Sequence, residues 1–165
     1  MSITITLVAG ADGSTTKGGN SAGVSNNADR SKFLQRRREA DCILIGGATA
    51  RNEPYQSTPV PVVVLSRGLI NPIANNKLAH CWNLSPAASV ARAQELFGPN
   101  IHIEAGATII FELLAAGLVD KLELSITPVT GGENRIDIAE LLSHFTRQNE
   151  VQVDETRFIS AEREP

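Results

Sequence analysis

A chain of 165 residues has room for one domain with a substantial core and not for two, so a single domain over residues 1–165 is expected. With 42% hydrophobic and 20% charged residues it has the make-up of a globular protein, and a net charge of −3 without a broad basic, aromatic-studded stretch argues against a nucleic-acid partner. No run approaches the ~20 apolar residues of a membrane span, and Ile3 to Ala11 is too short and too rich in Thr and Gly for a signal peptide, so neither a membrane partner nor secretion is expected.

Ile3 to Ala9 alternates apolar residues with Thr and predicts a strand with one face partly solvated. Gly10 to Asn27 has no periodicity, and loops of that length are usually functional or mobile. Ser25 or Asn27 is suited to cap a helix over about Ala28 to Glu39 that buries Phe33 and Leu34. Its cations, Arg30, Lys32, Arg36, Arg37 and Arg38, read either as a solvated face ending in dipole-favoured charges or as a source of one phosphate ligand. Cys42-Ile43-Leu44-Ile45 and Val62-Val63-Val64-Leu65 are apolar throughout, as strands covered on both faces are.

Ser85-Pro86, then Val90, Ala93, Leu96 and Phe97, then Gly98-Pro99, mark a helix with both ends signposted. Ile101 to Ile103 is a further central strand, and Thr108 to Ala116 is a buried helix stopped by Gly117. Leu122 to Thr127 alternates as a strand with one exposed face, and Asp137 to Glu140 has capping-box spacing for a short helix to about Ser143. Val151 to Ala161 reads as a terminal hairpin. Cys42 in a strand and Cys81 in a loop have no metal-ligand spacing; a buried small hydrophobe and a free thiol fit a reducing cytoplasm better than a disulfide. The pattern is α/β: a mixed, mainly parallel sheet flanked by helices, with a C-terminal antiparallel hairpin.

Three strand ends carry phosphate-binding chemistry. Gly46-Gly47-Ala48-Thr49 and Gly106-Ala107-Thr108 are small-residue turns that leave backbone amides bare, and Gly106 is suited to a positive φ and a close backbone approach. Thr108 can cap the following helix or meet a phosphate oxygen. Ser66-Arg67 adds a hydroxyl and a guanidinium, and Arg67 can pair with a phosphate on an adenosine ribose, which would select NADP over NAD. Each turn alone is equally a ligand-free connection; together, at the carboxyl ends of neighbouring parallel strands, they point to a nucleotide cofactor.

The order of blocks resembles the reductase domain of riboflavin biosynthesis, within the dihydrofolate reductase-like superfamily. Asp12-Gly13, Ser21-Ala22-Gly23-Val24-Ser25, Arg37 through Gly46 with Thr49, Glu104-Ala105-Gly106, Gly117 through Leu122 and Pro128 through Gly132 carry the resemblance. It implies a three-layer dihydrofolate reductase-like fold, a homodimer, and NADPH passing hydride to a pyrimidine bearing a ribosylamino phosphate chain. By that resemblance the cofactor meets Gly46, Gly47, Thr49, Ser66, Arg67, Gly106, Ala107 and Thr108. The substrate meets Ser21, Arg37 and Glu104, with Glu104 holding pyrimidine N–H groups and Arg37 the phosphate.

Asn52-Glu53-Pro54-Tyr55-Gln56-Ser57 departs from the family's Asp-Pro-x-Leu-Thr-x-Arg and lacks its arginine. That departure leaves open a cofactor-binding module without turnover, and the resemblance to the dihydrofolate reductase-like superfamily leaves open a folate-type reductase in which Asp29 would hold a pterin. No proton donor is assigned, and His80, His102 and His144 lie scattered, without a nucleophile at recognisable spacing.

Overall fold

In the computed structural model, which describes residues 1–165, the strands form one eight-stranded sheet, with the interior strands Cys42–Gly46 and Val62–Leu65 apolar at nearly every position. In chain order the elements are β1 (Ser2–Gly10), α1 (Asn27–Arg37), β2 (Cys42–Gly46), α2 (Gly47–Asn52), β3 (Val62–Leu65), β4 (Ala79–Trp82) and α3 (Pro86–Phe97). They continue with β5 (Asn100–Ile103), α4 (Ala107–Ala115), β6 (Lys121–Thr127), α5 (Ile138–Ser143), β7 (Arg147–Val153) and β8 (Thr156–Glu162). The spatial order is β4-β3-β2-β5-β1-β6-β8-β7. Neighbours from β4 to β6 pair in parallel, while β8 runs antiparallel to both β6 and β7, so the α/β mixed sheet and terminal hairpin are as expected.

Because strand side chains alternate, each face has its own chemistry. On one face Leu44, Val63, Ile103, Ile5, Leu122 and Leu124 join Val90 and Ala93 of α3, Ile110 and Leu113 of α4 and Leu141 of α5 in the main core. Each fully buried Val, Leu or Ile among them contributes roughly 1.5–3 kcal/mol by burial. The opposite face is divided. Over β2 and β3 it is apolar, with Ile43, Ile45, Val62 and Val64 packed against Ala50, Tyr55 and Ile73. Over β5, β1 and β6 it presents buried His102, Glu104, Thr4, Thr6 and Ser125, and α1 lies here.

That polar stratum overturns the expected burial of Phe33 and Leu34. Leu34 is 41% exposed and Phe33 only half-buried, whereas Asp29 and Arg37 are the buried side chains of α1. The helix is matched to a polar sheet face, with Arg36 near Glu123 at 3.6 Å and Lys32 over the Phe158 ring at 4.4 Å. Its cap is Asn26 rather than Ser25 or Asn27: the side chain accepts from Asp29 N at 3.0 Å and donates to Thr156 Oγ1 at 2.5 Å.

Strand β4 and helix α2 stand where the sequence suggests a loop and a turn. The segment holding Cys81 is the edge strand β4 rather than a loop, in parallel register with β3. The turn at Gly46 opens the short helix α2, so both small-residue turns lead into helices. The terminal hairpin also begins earlier than expected, at Arg147. Leu96 is largely exposed at 58%, leaving Val90 and Ala93 to anchor α3. No helix is long and apolar enough to cross a membrane.

The topology creates one crevice. From β2 the chain moves outward through α2 to β3; from the adjacent β5 it moves the other way, through α4 and across β1, to β6. Connections that diverge from neighbouring parallel strands leave a gap beyond their carboxyl ends, the usual ligand position in such sheets.

Candidate active site

The gap between β2 and β5 is a cleft of about 560 Å³. It is lined by Gly46, Gly47, Thr49, Gly106, Ala107 and Thr108, so two of the three predicted strand ends converge. Gly106 is the N-cap of α4 and supplies no side-chain hydrogen bond, and Thr108 does not act as the cap. The first amides of α4 therefore lack a capping acceptor, and the positive end of the helix dipole points into the crevice. Gly106 has φ −77°, ordinary for any residue, and a Cβ there would meet nothing within 4 Å. The positive φ that glycine permits is not used; glycine here leaves space above the helix start. Gly46 is constrained instead by packing, since its Cβ would come 3.1 Å from Ile109 Cδ1.

The third strand end is placed differently. Ser66 Oγ accepts from the Gly68 amide at 3.0 Å and would lie 3.5 Å from a Cβ on Gly47, at the flank of the cleft. Arg67 is exposed and does not line the cleft, nor do the exposed Leu69 and Ile70 that follow it.

The loops after β1 and β6 form the opposite wall as one braced flap. Thr16 and Glu133 exchange backbone hydrogen bonds at 3.3 and 2.7 Å, and Ile136 N donates to Gly13 O at 2.9 Å. At its base the Asp12 carboxylate accepts from Ser14 Oγ at 2.7 Å and Gly131 N at 2.8 Å and pairs with Arg135 at 3.2 Å. These contacts, the Ser14 hydroxyl foremost, hold its pKa far below the usual carboxylate range. A Cβ on Gly132 would lie 2.2 Å from Thr16 O, so the close approach of the two loops requires glycine there. The long segment after β1 is consequently well tied, although it has little regular structure.

A second, smaller pocket of about 180 Å³ shares Thr15, Thr16, Thr49, Glu53, Gly106 and Ala107 with the first, so the two are continuous. It contains all three predicted substrate residues, Ser21, Arg37 and Glu104. None of them is a free ligand. Arg37 donates to Glu104 through Nε, at 3.0 Å to Oε1 and 3.2 Å to Oε2, and through Nη2 at 2.8 Å to Oε2. Ser21 donates to Glu53 through its amide at 2.6 Å and its hydroxyl at 3.0 Å.

Tyr55 completes the pocket. Its hydroxyl donates to Glu104 Oε2 at 2.5 Å, and its ring and that of Phe33 lie 4.7 and 4.3 Å from the Arg37 guanidinium carbon. Tyr55, Glu104 and Arg37 are only 4%, 6% and 8% exposed. Burial, reinforced by the Glu104 charge, pushes the Tyr55 pKa well above 10.0, so the phenol keeps its proton. For Arg37 burial alone would act downward, but the hydrogen bonds and charge of Glu104 outweigh it and the pKa is raised.

Glu53, Tyr55 and Arg30, which also line this pocket, were not singled out as site residues from the sequence. For Glu53 and Tyr55 the only signal is the departure at Glu53-Pro54-Tyr55, which also contains the chain's one tyrosine, whereas Arg30 belongs to the helix cations that read as a source of one phosphate ligand. Asp29, the alternative pterin ligand, is instead taken up by Ser25 Oγ at 2.5 Å and lines neither cavity. His102 is buried beneath α1; His80 packs beside Trp82 and Phe97, and His144 beside Phe111.

A family model described as the RibD C-terminal domain matches residues 1–158. Among solved structures, the chain is similar to a Shewanella sp. PV-4 protein assigned to riboflavin biosynthesis, at 17% identity and TM-score 0.75 over 100% of both chains. It is also similar to a diaminohydroxyphosphoribosylaminopyrimidine deaminase/5-amino-6-(5-phosphoribosylamino)uracil reductase from Thermotoga maritima, at 14% identity and TM-score 0.74, covering 98% of this chain. The chain spans 56% of that Thermotoga protein, just over half its length. A pyrimidine reductase-like protein from Corynebacterium diphtheriae matches at 19% identity and TM-score 0.68, over 98% of this chain and 91% of that one. At these identities the likeness is one of fold. No functionally curated protein matches the chain in sequence.

Proposed function

The chain belongs to the RibD C-terminal domain family, and we propose that it is an NADPH-dependent reductase of the riboflavin-biosynthesis type, acting on a pyrimidine that bears a ribosylamino phosphate chain. The observation that carries this reading is the continuity between a cleft with an uncapped helix start and a pocket built around a buried carboxylate. The first suits a pyrophosphate. The second suits a ring with N–H donors.

In this reading the α4 amides at Ala107 and Thr108, with Gly106 above them, hold the pyrophosphate, while Gly46, Gly47 and Thr49 form the facing wall. Ser66 and Arg67 are assigned to the adenosine phosphate from the flank. A bound reduced nicotinamide supplies the hydride. The chain's own work is to orient the acceptor and exclude water: Glu104 holds the heterocycle, and Phe33 and Tyr55 close the pocket around Arg37. Arg37 is committed to Glu104, so the phosphate chain is assigned to Arg30, whose exposed guanidinium lines the same pocket outside the molecule's ion pairs.

Turnover tests this directly. Loss of absorbance at the reduced-nicotinamide band with the ribosylaminopyrimidine phosphate supports the reading; its absence with that substrate, despite tight NADPH binding, overturns it. That second result would favour a cofactor-binding module without turnover, a reading favoured by Ser21 and Arg37 already being satisfied by Glu53 and Glu104. Consumption with a pterin alone would point to the folate-type alternative, against which Asp29 lies outside both cavities.

The same proposal includes a homodimer. Strand β7 is exposed along its length and hydrogen-bonded only to β8, which leaves one edge for a second copy. Light scattering coupled to size exclusion should give twice the chain mass, and a monomer at micromolar concentration would remove this part of the reading.

A further inference from the structure

We infer that Tyr55 is a positioning residue that aims the Glu104 carboxylate and thereby selects, at this pocket, a heterocycle offering a ring N–H donor. The inference rests on the reading of the pocket as the site of the acceptor ring. Its basis is the unequal loading of the two carboxylate oxygens. Oε2 accepts from the Tyr55 hydroxyl at 2.5 Å, from Arg37 Nη2 at 2.8 Å and from Arg37 Nε at 3.2 Å. Oε1 accepts only from Arg37 Nε, at 3.0 Å. A carboxylate has about four lone-pair sites, two on each oxygen. Oε2 is therefore filled, and Oε1 keeps capacity for one more donor.

The arrangement is fixed from every side. Glu104 is anchored through its amide, which donates to Leu44 O at 2.9 Å across the strand pair. Arg37 is held between the Phe33 and Tyr55 rings, at 4.3 and 4.7 Å. Tyr55 is secured by packing with Ile43, Ile45, Val62, Val64 and Ile73, and by its carbonyl, which accepts from Asn76 Nδ2 at 2.9 Å. Its phenol is thus a fixed donor on one oxygen, and the carboxylate cannot turn without breaking that bond.

What remains open to a ligand is an acceptor. Glu53, the other carboxylate of the pocket, is bound to Ser21 and adds negative charge. An anionic or acceptor-only ring edge is disfavoured there, and an N–H edge is favoured. Tyr55 acts through Glu104 without needing to touch the ligand. Replacing it by Phe keeps the ring packing and the contact with Arg37 while removing the one neutral donor that loads Oε2, so that Glu104 is held by Arg37 alone.

Binding of uracil, which has two ring N–H groups, and of 1,3-dimethyluracil, which has none, is measured on the whole chain by ligand-observed NMR, beside an NADPH titration and a thermal melt. For Tyr55→Phe the expected result is a loss of uracil affinity of about tenfold with unchanged NADPH affinity, the effect of one hydrogen bond to a charged group. Glu104→Gln should weaken uracil at least as much, and dimethyluracil should bind weakly and equally to all three proteins. Unchanged uracil binding by folded Tyr55→Phe overturns the inference, as does dimethyluracil binding as well as uracil. If Tyr55→Phe does not fold, the native chain decides: dimethyluracil binding as well as uracil overturns the inference. Failure of the reductase reading is separately visible: it removes NADPH binding or turnover, whereas failure of this inference leaves both and removes only the N–H selectivity.

Discussion

Arg37, on the last turn of α1, grips both carboxylate oxygens of Glu104, which follows β5 and lies 67 residues on in the chain. This contact joins the loop-and-helix segment after β1 to the end of a central strand, beneath a helix whose buried side chains are polar. A buried ion pair contributes little net stability compared with an apolar replacement, but losing one partner strands the other charge. Arg37→Ala is therefore expected to cost about 3–5 kcal/mol in urea unfolding. The double variant Arg37→Met with Glu104→Leu should recover most of the loss. Additive losses in the pair would contradict this account.

His102 faces the same stratum. Burial dominates and lowers its pKa from 6.5, Arg36 acts in the same direction, and Glu104, Glu39 and Glu123 act against them. A lowered folded-state value means that the unfolded chain binds the proton more readily, so the associated stability is present above pH 6.5 and lost as pH falls through the folded value. Melting temperature recorded across that range should fall more steeply for the native chain than for His102→Gln. Parallel curves would exclude the histidine as the cause.

The two thiols should separate by reactivity. Cys42 is buried in β2, and desolvation pushes its pKa from 9.0 to about 12, whereas Cys81 is half-buried on the edge strand β4. A thiol reagent at neutral pH should modify Cys81 in the native state and Cys42 only on unfolding. Stability linked to the protonated Cys42 should decline as pH rises from 9.0 through about 12. Rapid native modification of both would contradict the packing of β2.

Gly106 distinguishes stability from binding. A Cβ at that position meets open space, so Gly106→Ala should cost only the cap preference and lower the melting temperature by about 2–4 °C at most. Gly106→Asp adds a negative charge and a capping acceptor at the α4 start. It should keep the fold while lowering NADPH affinity by more than tenfold, as read by isothermal titration. Equal affinity in Gly106→Asp would remove the α4 start from the proposed site.

The elements that follow period and punctuation were legible in the sequence. Ser85 caps α3 ahead of Pro86, Asp137 caps α5, and the apolar runs at Cys42 and Val62 are interior strands. The misreadings share a cause, because tertiary partners decided them. Phe33 and Leu34 look like the buried face of α1 until the sheet beneath is seen to offer Glu104, which takes up Arg37, while Asp29 is held by Ser25. Ala79 to Trp82 has too little pattern to announce a strand and becomes one through its pairing with Val62 to Leu65. The convergence of the turns at Gly46 and Gly106 could be anticipated from their chemistry. The Tyr55 hydroxyl on Glu104 could not, because a tyrosine after Glu-Pro in a loop gives no sign of a partner 49 residues away.

The most direct test of the central claim is a titration of the intact chain with NADPH and with NADH, each taken to millimolar concentration and followed by nicotinamide fluorescence. The account predicts saturable binding of NADPH and weaker binding of NADH, with the difference lost in Arg67→Ala. No binding of either dinucleotide would contradict the assignment of the cleft between β2 and β5, and equal affinity for the two would contradict the role given to Arg67.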